Sequence, residues 1–282
     1  MLDESRLKNL GLIVFDLDGT LLRDDDSISP EVVELVTELK KLGVRFSFAS
    51  GRLHSAIKRH AETLNITTPL ISLDGSLIKS FPKGDIIFHS YVKAKYVHKA
   101  IQMANYDFMN VALCHDEAIY YTEHHARITD RIEKFGANFQ EIESYEPFLN
   151  ETLEIVVIGD HKGSMRKIEK KFKFPHAMNL NTMLYKSHRH GDVYYLEIRK
   201  SGCDKGSGLK RLAKHLGIKV SNTAVMGDWY NDRSLFETKA YSVAVNNAVP
   251  EIKRMADHVS SGTNNDTGVS EFLEAVLKAK RK

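Results

Sequence analysis

The stretch Phe15-Asp16-Leu17-Asp18-Gly19-Thr20 decides the fold of this chain, because it joins a strand to a turn that carries two carboxylates. The apolar run Leu12 to Phe15 predicts a short buried strand. Asp16 and Asp18 therefore follow that strand, one residue apart. The glycine after them lets the backbone turn without a Cβ penalty, and the threonine adds a hydroxyl. Such a pair suits nucleophilic and proton-transfer chemistry on a phosphoryl group near a divalent cation.

The Asp-Gly pair also has a simpler interpretation, in which Asp18 only serves a tight turn. Three further polar sets favour the chemical interpretation. Ser50-Gly51-Arg52 follows the apolar run Phe46 to Ala49, and the run from Gly227 to Asp232 follows Thr223 to Met226. Asp204-Lys205-Gly206 lies between them in the sequence. Since open α/β sheets bind ligands at the carboxyl ends of their strands, these side chains are expected to converge.

The first and last thirds of the chain alternate between strand and helix patterns, which predicts a parallel sheet. In the first third the predicted elements are strand Leu12 to Phe15, a helix from about Pro30, strand Val44 to Ala49, a helix from about His54 and strand Leu70 to Leu73. In the last third they are helix Ser207 to Leu216, strand Thr223 to Met226, helix Asn231 to Phe236, strand Tyr241 to Val245, helix Pro250 to Ala256 and helix Val269 to Ala279.

The middle of the chain follows a different pattern, which begins after the turn cluster Pro82-Lys83-Gly84-Asp85. Its predicted elements are strand Ile86 to Tyr91, helix Lys95 to Tyr106, a hairpin of Val111 to His115 and Ala118 to Thr122, helix Ala126 to Phe135, strand Leu153 to Ile158, helix Gly163 to Phe172, and strands Asn181 to Lys186 and Val193 to Arg199. This order predicts a sheet covered by helices on one face. A block of about 115 residues can fold alone. We therefore predict a discontinuous core domain, residues 1–83 and 201–282, interrupted by a domain of residues 84–200.

This set of motifs resembles the haloacid dehalogenase superfamily, whose signature Asp-x-Asp-x-Thr matches Asp16, Asp18 and Thr20. The order of the motifs is also that of the superfamily: Asp16, Ser50, Lys205, then the acidic pair Asp228 and Asp232. The large insertion is similar to the α/β cap of the Cof-like subgroup, and the similarity extends to Asn246-Asn247-Ala248 and Asp266-Thr267-Gly268-Val269. The resemblance implies an α/β fold, with a Rossmann-like parallel sheet core and an inserted α/β cap domain.

The resemblance also implies covalent catalysis assisted by Mg²⁺. Asp16 would attack phosphorus, while Asp18 would protonate the leaving oxygen and then activate water. The metal would be held by the carboxylates of Asp16 and Asp228 and the backbone carbonyl of Asp18, an all-oxygen set that suits Mg²⁺. Asp232 would lie behind these ligands. The phosphoryl oxygens would be held by Ser50, Gly51, Lys205 and Asn231.

Five further residues are candidates for substrate selection: Arg52, Asp74, Arg189, His190 and Trp229. Asp74 stands where the subgroup usually has Asn, and it adds negative charge near the phosphate unless it faces away or pairs with a cation. Trp229 stands where a small or polar residue is common, and it either walls the site or packs on the cap. Arg52 either faces the site or caps a turn. The basic run with Arg189 and His190 is either an exposed loop or a contact for an anionic substrate tail.

Composition limits the class of protein. The net charge of +3 over 282 residues gives no reason to expect binding to nucleic acid or to an anionic membrane. The two cysteines form no recognisable framework, which fits a reducing compartment. The polar N-terminal segment has no leader-like pattern, and no apolar run is long enough for a membrane span. We therefore expect a cytoplasmic protein.

Together these observations predict a Mg²⁺-dependent phosphatase of small phosphorylated metabolites, with sugar phosphates as the class that the resemblance implies. One alternative is a phosphomutase or phosphotransferase on the same scaffold, since the presence of Asp18 fits hydrolysis without excluding transfer. Another is a ligand-sensing protein without turnover. Such a protein would be expected to lack one of four groups, all of which are present: Asp16, Asp18, Lys205 and Asp228.

Overall fold

The structure is a computed structural model that describes residues 3–125, 137–187 and 192–282. Its contacts divide the chain into two units. The first unit comprises residues 1–51, 57–87 and 204–282, and the second comprises residues 52–56 and 88–203. Residues 52–56, which the sequence predicts to belong to the core domain, group with the second unit. The predicted domain limits at residues 83 and 200 stay a prediction.

The described residues form nine α-helices and fourteen strands, numbered here in chain order. The strands are β1 (Leu12–Phe15), β2 (Arg45–Phe48), β3 (Leu70–Ser72), β4 (Leu77–Lys79), β5 (Ile86–His89), β6 (Asn110–Cys114), β7 (Ala118–Tyr121), β8 (Asn138–Glu141), β9 (Glu154–Gly159), β10 (Leu180–Lys186), β11 (Tyr194–Lys200), β12 (Thr223–Gly227), β13 (Tyr241–Ala244) and β14 (His258–Val259). The helices are α1 (Glu4–Lys8), α2 (Pro30–Lys41), α3 (His54–Thr63), α4 (Ala94–Tyr106), α5 (Lys162–Lys171), α6 (Lys205–Leu216), α7 (Arg233–Phe236), α8 (Pro250–Met255) and α9 (Ser270–Arg281).

A five-stranded parallel sheet forms the centre of the first unit, in the order β14-β13-β12-β1-β2. All four residues of β1 are completely buried, as expected for a strand covered on both faces. At its carboxyl end the Asp16 N–H donates to the Met226 carbonyl (2.9 Å), and the Ala49 N–H donates to the Phe15 carbonyl (2.8 Å). The predicted parallel core is confirmed, and the ends of β1, β2 and β12 meet at one edge.

A second, three-stranded sheet of β3, β4 and β5 departs from the predicted alternation of strands and helices. β3 is joined to the end of β2 by a single parallel bridge, Ala49 to Ile71, and then pairs antiparallel with β4. The sharp turn between them has positive φ at Leu73 (46°), Asp74 (47°) and Gly75 (88°). Strand β4 was not predicted, although Asp74-Gly75 is a turn signal that a second strand can follow.

The second unit is built on a six-stranded sheet in the order β10-β11-β9-β6-β7-β8. Its pairs are antiparallel except for the parallel pair β7–β8. Alternate residues of β9 and β11, such as Ile155 and Leu196, pack with Val97 and Ala100 of α4 and Ile168 of α5 in one buried core. Both helices therefore cover the same face of the sheet, as predicted. The predicted helix Ala126 to Phe135 lies outside the described residues.

The opposite face of this sheet carries a polar cluster in which Glu154 and Glu197 are buried. Arg199 of β11 pairs with Glu154 of β9 and, through Nη2, with Glu197 Oε2 at 2.8 Å. The Tyr185 hydroxyl donates to Glu197 Oε1 at 2.8 Å, and its ring stacks on that of Tyr195. Charged and aromatic side chains on this face alternate with the apolar residues that face the helices.

Besides β4, three short elements were not predicted: α1, β8 and β14. α1 forms in the polar N-terminal segment because the Asp3 carboxylate accepts the N–H groups of Ser5 and Arg6. The predicted helix from Asn231 begins as a 3-10 turn over Tyr230–Asp232 before it continues as α7. None of the helices in the described parts of the chain combines the length and the apolar composition that crossing a bilayer requires.

Gly75 provides a test of the sharp turn between β3 and β4. A Cβ at this position would collide with the backbone oxygen of Asp204, whereas a Cβ on Gly43, which has a similar φ of 82°, would meet nothing within 4 Å. We expect Gly43→Ala to cost about 1–2 kcal/mol of unfolding free energy for its positive φ. Gly75→Ala should cost about 1–3 kcal/mol more, because the backbone must shift.

Urea unfolding of both variants and the wild type measures the two costs. Equal losses for the two variants would show that Asp204 yields without cost, contrary to the packing described here.

Candidate active site

A buried lysine is at the centre of the edge where β1 and β12 end. Lys205 is the first residue of α6, whose N-terminus is capped by the Asp204 carboxylate accepting the Ser207 N–H at 2.6 Å. The Lys205 ammonium is completely buried, and it donates to Asp16 Oδ1 at 2.5 Å and to Asp232 Oδ1 at 2.6 Å. The structure thus joins three of the predicted site residues, which lie far apart in the sequence.

Asp232 and Asp228 are positioned by the turn after β12. The second oxygen of Asp232, Oδ2, accepts the backbone N–H groups of Asp228 (2.9 Å) and Trp229 (3.1 Å). Asp228 Oδ1 accepts the Thr20 hydroxyl at 2.9 Å, in a buried hydrogen bond. The loop after β1 and the loop after β12 are therefore tied together through side chains as well as through the sheet.

The carboxylates of Asp16, Asp228 and Asp232 form a group that could hold a metal ion, since one oxygen of each lies within 4.8 Å of the others. Oxygen-only donors suit a hard cation such as Mg²⁺. Gly19 (φ 77°) has no side chain to crowd Asp228, because a Cβ at this position would lie only 2.6 Å from Asp228 Oδ2. Asp232 already accepts hydrogen bonds from Lys205 and from two backbone N–H groups, so Asp16 and Asp228 are better placed than Asp232 to bind a metal ion. The residues present therefore fit the expected ion.

The electrostatics of this cluster are dominated by burial of like charges. Burial raises the pKa of Asp16 well above its ordinary value, and the neighbouring charge of Asp232 adds to it. Burial also raises the pKa of Asp228 to about 6, with Asp232 acting in the same direction and the hydrogen bond from Thr20 acting against it. For Lys205, burial works against the ammonium, but Asp16 and Asp232 outweigh it and raise the pKa above its ordinary value. The cluster carries more negative charge than one ammonium neutralises, so it favours an additional cation.

The residues predicted to hold phosphoryl oxygens lie beside this cluster. Ser50 is buried at the end of β2, where its N–H donates to the Ile71 carbonyl at 3.0 Å. Asn231 is half-buried, and its Nδ2 donates to Asp74 Oδ1 at 3.3 Å. The same Asp74 oxygen lies 3.3 Å from where a Cβ on Gly51 would be. Asp74 therefore faces Gly51 and Asn231, and does not point away from them.

The structure describes three of the remaining predicted residues. Asp18 is exposed in the loop after β1 and is outside the carboxylate group around Lys205. Trp229 is 51% exposed, and its ring forms an edge-to-face contact with Tyr230. Arg52 is buried and groups with the second unit. Arg189 and His190 lie outside the described residues.

Two asparagines that the sequence analysis left without a role support the loop after β1. Asn247 Nδ2 donates to the Gly19 carbonyl at 2.7 Å, and Asn264 Nδ2 donates to the Leu22 carbonyl at 2.9 Å. The Asn264 N–H in turn donates to Asn247 Oδ1 at 2.9 Å. The available signal for Asn247 was its place directly after the apolar strand Tyr241 to Val245, at the same sheet edge as the other motifs.

Comparison with known sequences places these features in a family. A family model described as haloacid dehalogenase-like hydrolase matches residues 13–273. The phosphatase YwpJ of Bacillus subtilis is 28% identical over 291 residues, covering 94% of this chain and 99% of the relative. The 5-amino-6-(5-phospho-D-ribitylamino)uracil phosphatase YitU of the same organism is 25% identical over 266 residues, covering 93% and 96%.

Comparison with solved structures agrees. A haloacid dehalogenase-like hydrolase from Bacteroides thetaiotaomicron superposes with a TM-score of 0.83 at 23% identity, over 95% of this chain and 99% of that one, which supports the fold. A haloacid dehalogenase-like hydrolase from Bacillus subtilis gives a TM-score of 0.75 at 25% identity, over 94% and 99%.

The raised pKa of Asp228 predicts that ionisation of its side chain lowers the folding stability of the metal-free protein, in a way that depends on pH. Because the folded-state pKa of about 6 lies above the ordinary 3.8, ionising Asp228 destabilises the fold above about pH 6 and has no such effect below pH 3.8. The gap corresponds to at most about 3 kcal/mol. We expect Asp228→Asn to raise the melting temperature by several degrees at pH 8 in EDTA, and the gain to vanish towards pH 4.

Thermal melts of wild type and variant between pH 4 and 8 test this expectation. Excess Mg²⁺ at pH 8 supplies the control, because it should stabilise the wild type more than the variant. A gain that is the same at every pH would contradict the assigned origin of the destabilisation.

Proposed function

The chain belongs to the haloacid dehalogenase-like hydrolases, and we propose that it is a Mg²⁺-dependent phosphatase that hydrolyses small phosphorylated metabolites through an aspartyl-phosphate on Asp16. One observation carries the proposal: Lys205 bridges Asp16 and Asp232, with Asp228 close by. Four charged groups from three separate segments of the chain thus lie together at one sheet edge. Relatives that match nearly the whole chain are phosphatases by name.

In the first chemical step Asp16 is the nucleophile. One carboxylate oxygen attacks phosphorus, a new P–O bond forms, and the bond from phosphorus to the ester oxygen breaks. Asp18 gives its proton to the departing oxygen, so that the leaving group departs as an alcohol. The exposed position of Asp18 suits this role, because a group that exchanges protons with the substrate and with water cannot be sealed in the core.

In the second step water replaces Asp16 on phosphorus. Asp18, now ionised, takes a proton from the attacking water, and the P–O bond to Asp16 breaks, which regenerates the free carboxylate and releases inorganic phosphate. Lys205 holds Asp16 in place throughout and offers its positive charge to the phosphoryl oxygens. Mg²⁺, held by Asp16, Asp228 and the Asp18 carbonyl, would neutralise phosphoryl charge and keep Asp16 ionised.

The proposed substrates are sugar phosphates. Support comes from the family resemblance and from the name of the relative YitU, which describes a phosphate on a ribityl chain. A screen of phosphorylated sugars, polyols, nucleotides and cofactors, with released phosphate as the readout, tests the class. A clear preference for nucleotides over every sugar phosphate would contradict it.

The two aspartates of the first motif should respond differently to amide substitution. Asp16→Asn should lower turnover by at least about 10³-fold, because an amide cannot form the phosphoryl ester. Asp18→Asn should lower it by about 10²–10⁴-fold through loss of proton transfer. It should leave Mg²⁺ affinity nearly unchanged, since its proposed ligand is a backbone oxygen. Turnover of an aryl phosphate and calorimetric Mg²⁺ titration measure the two effects.

The same variants separate the alternatives. A substantial residual rate in Asp16→Asn would contradict the covalent route. A wild-type protein that releases no phosphate from any ester yet binds one would favour the sensing role. Analysis of products in the presence of an added sugar acceptor distinguishes hydrolysis from transfer, because a phosphotransferase would form a new phosphate ester and a phosphatase would form inorganic phosphate.

Metal removal supplies a further prediction. EDTA should abolish turnover and Mg²⁺ should restore it, whereas Ca²⁺ should bind but support little turnover, because its larger and more flexible coordination shell disturbs the in-line geometry. Asp228→Ala should raise the Mg²⁺ concentration needed for half-maximal activity by more than about ten-fold. Full activity of the wild type after exhaustive chelation would refute the metal assignment.

A further inference from the structure

A carboxylate lies against two members of the group proposed to bind phosphate, Gly51 and Asn231. Asp74 lies in the turn between β3 and β4, where three consecutive residues have positive φ: Leu73, Asp74 and Gly75. Strained backbone of this kind persists only where the surroundings hold it, and it concentrates at functional sites.

The turn is held on both sides by the backbone of other phosphate-site segments. The Asp74 N–H donates to the Ser50 carbonyl at 3.0 Å. On the other side, Gly75 lies against the backbone of Asp204, the residue that precedes Lys205. The position of the Asp74 side chain is therefore determined by the same two segments that supply Ser50 and Lys205.

The Asp74 carboxylate is directed at this group of residues. Its Oδ1 accepts the Asn231 amide at 3.3 Å and lies 3.3 Å from the position that a Cβ on Gly51 would take. The charge of Asp74 also acts on Lys205. Burial opposes the charged form of the lysine, whereas Asp16, Asp232 and, to a smaller extent, Asp74 raise its pKa. A negative charge thus lies among the donors that an anionic group would use.

Two consequences of this placement oppose each other. A carboxylate near a bound phosphate dianion repels it, and in a partly buried site this repulsion is only weakly screened. The hydrogen bond to Asn231 instead orients an amide that would donate to phosphate, which would strengthen binding. The sign of the net effect therefore distinguishes an electrostatic role from a purely positioning one.

We propose that the carboxylate of Asp74 weakens the binding of phosphate dianions, so that inorganic phosphate leaves the site readily after hydrolysis. The inference rests on the proposed function, because it takes Ser50, Gly51, Lys205 and Asn231 as the phosphate-binding group. It assigns to Asp74 the repulsion of product, at the cost of weaker binding of substrate.

Asp74→Asn is the decisive variant, because it removes the negative charge and keeps the shape of the side chain. Asparagine also tolerates the positive φ of this position. We expect inorganic phosphate to bind about ten-fold more tightly, both as a competitive inhibitor and in calorimetric titration with Mg²⁺ present. KM for phosphate esters should fall by a similar factor while kcat stays equal or falls. Unchanged or weaker phosphate binding would overturn the proposal and leave Asp74 with the positioning role.

Two further variants serve as controls. Asp74→Gly also accepts the positive φ and removes the charge, but it loses the acceptor for Asn231, so tighter phosphate binding in this variant as well supports repulsion. Asp85→Asn removes one exposed carboxylate from the loop before β5 and should change phosphate affinity by less than about two-fold. Equal tightening in Asp85→Asn would trace the effect to net charge and overturn the assignment to Asp74.

Failure of the inference and failure of the proposed function give different results. If the wild type hydrolyses an aryl phosphate in an Asp16-dependent reaction but Asp74→Asn binds phosphate no more tightly, only the inference fails. If the wild type neither hydrolyses the ester nor binds inorganic phosphate, the proposed function fails and the inference fails with it.

Discussion

The rest of the site depends on the pairing of one buried ammonium with two carboxylates. Lys205 has no exposed surface, and a charge in that position is tolerated only when it is paired and hydrogen-bonded. Asp16 and Asp232 supply those partners at 2.5 and 2.6 Å. Removing one partner of such a buried pair costs about 3–5 kcal/mol, because the other charge is left uncompensated. The pairing therefore couples the start of α6 to the ends of β1 and β12, and the chemistry to the stability of the fold.

The same pairing leaves the site short of positive charge. Asp16, Asp228 and Asp232 lie close together, and the ammonium of Lys205 contacts only two of them. Burial raises the pKa of both Asp16 and Asp228. A folded protein that holds such groups close together stores unfavourable energy at the place where a ligand can release it. The supporting hydrogen bonds from Thr20 to Asp228, and from Asn247 to the loop after β1, keep the carboxylates from moving apart. The site therefore attracts a cation only because the loops that carry these carboxylates are held rigidly.

The sequence was sufficient to predict the features that depend on local pattern and on the order of motifs. The short apolar runs predicted β1 and β12, and the carboxyl ends of these strands placed Asp16 and Asp228 at one edge of the sheet. The order of motifs in the family resemblance added Lys205 to them. The sequence was not sufficient for features that tertiary contacts impose. A leucine at positive φ in the turn after β3 has no local signature, because Ser50 and Asp204 hold that turn from elsewhere in the chain. The direction of the Asp74 side chain could not be predicted for the same reason.

The strand order of the first unit has a consequence for how the protein is made. β1 leaves the ribosome long before β12, one of its two neighbours in the sheet. The distance along the chain between Asp16 and Lys205 is 189 residues. Contacts between such distant segments form slowly and only after synthesis of the intervening chain. The nascent core thus exposes one edge of its most apolar strand until β12 has been synthesised, while the second unit, nearly continuous in sequence, can complete its own sheet first.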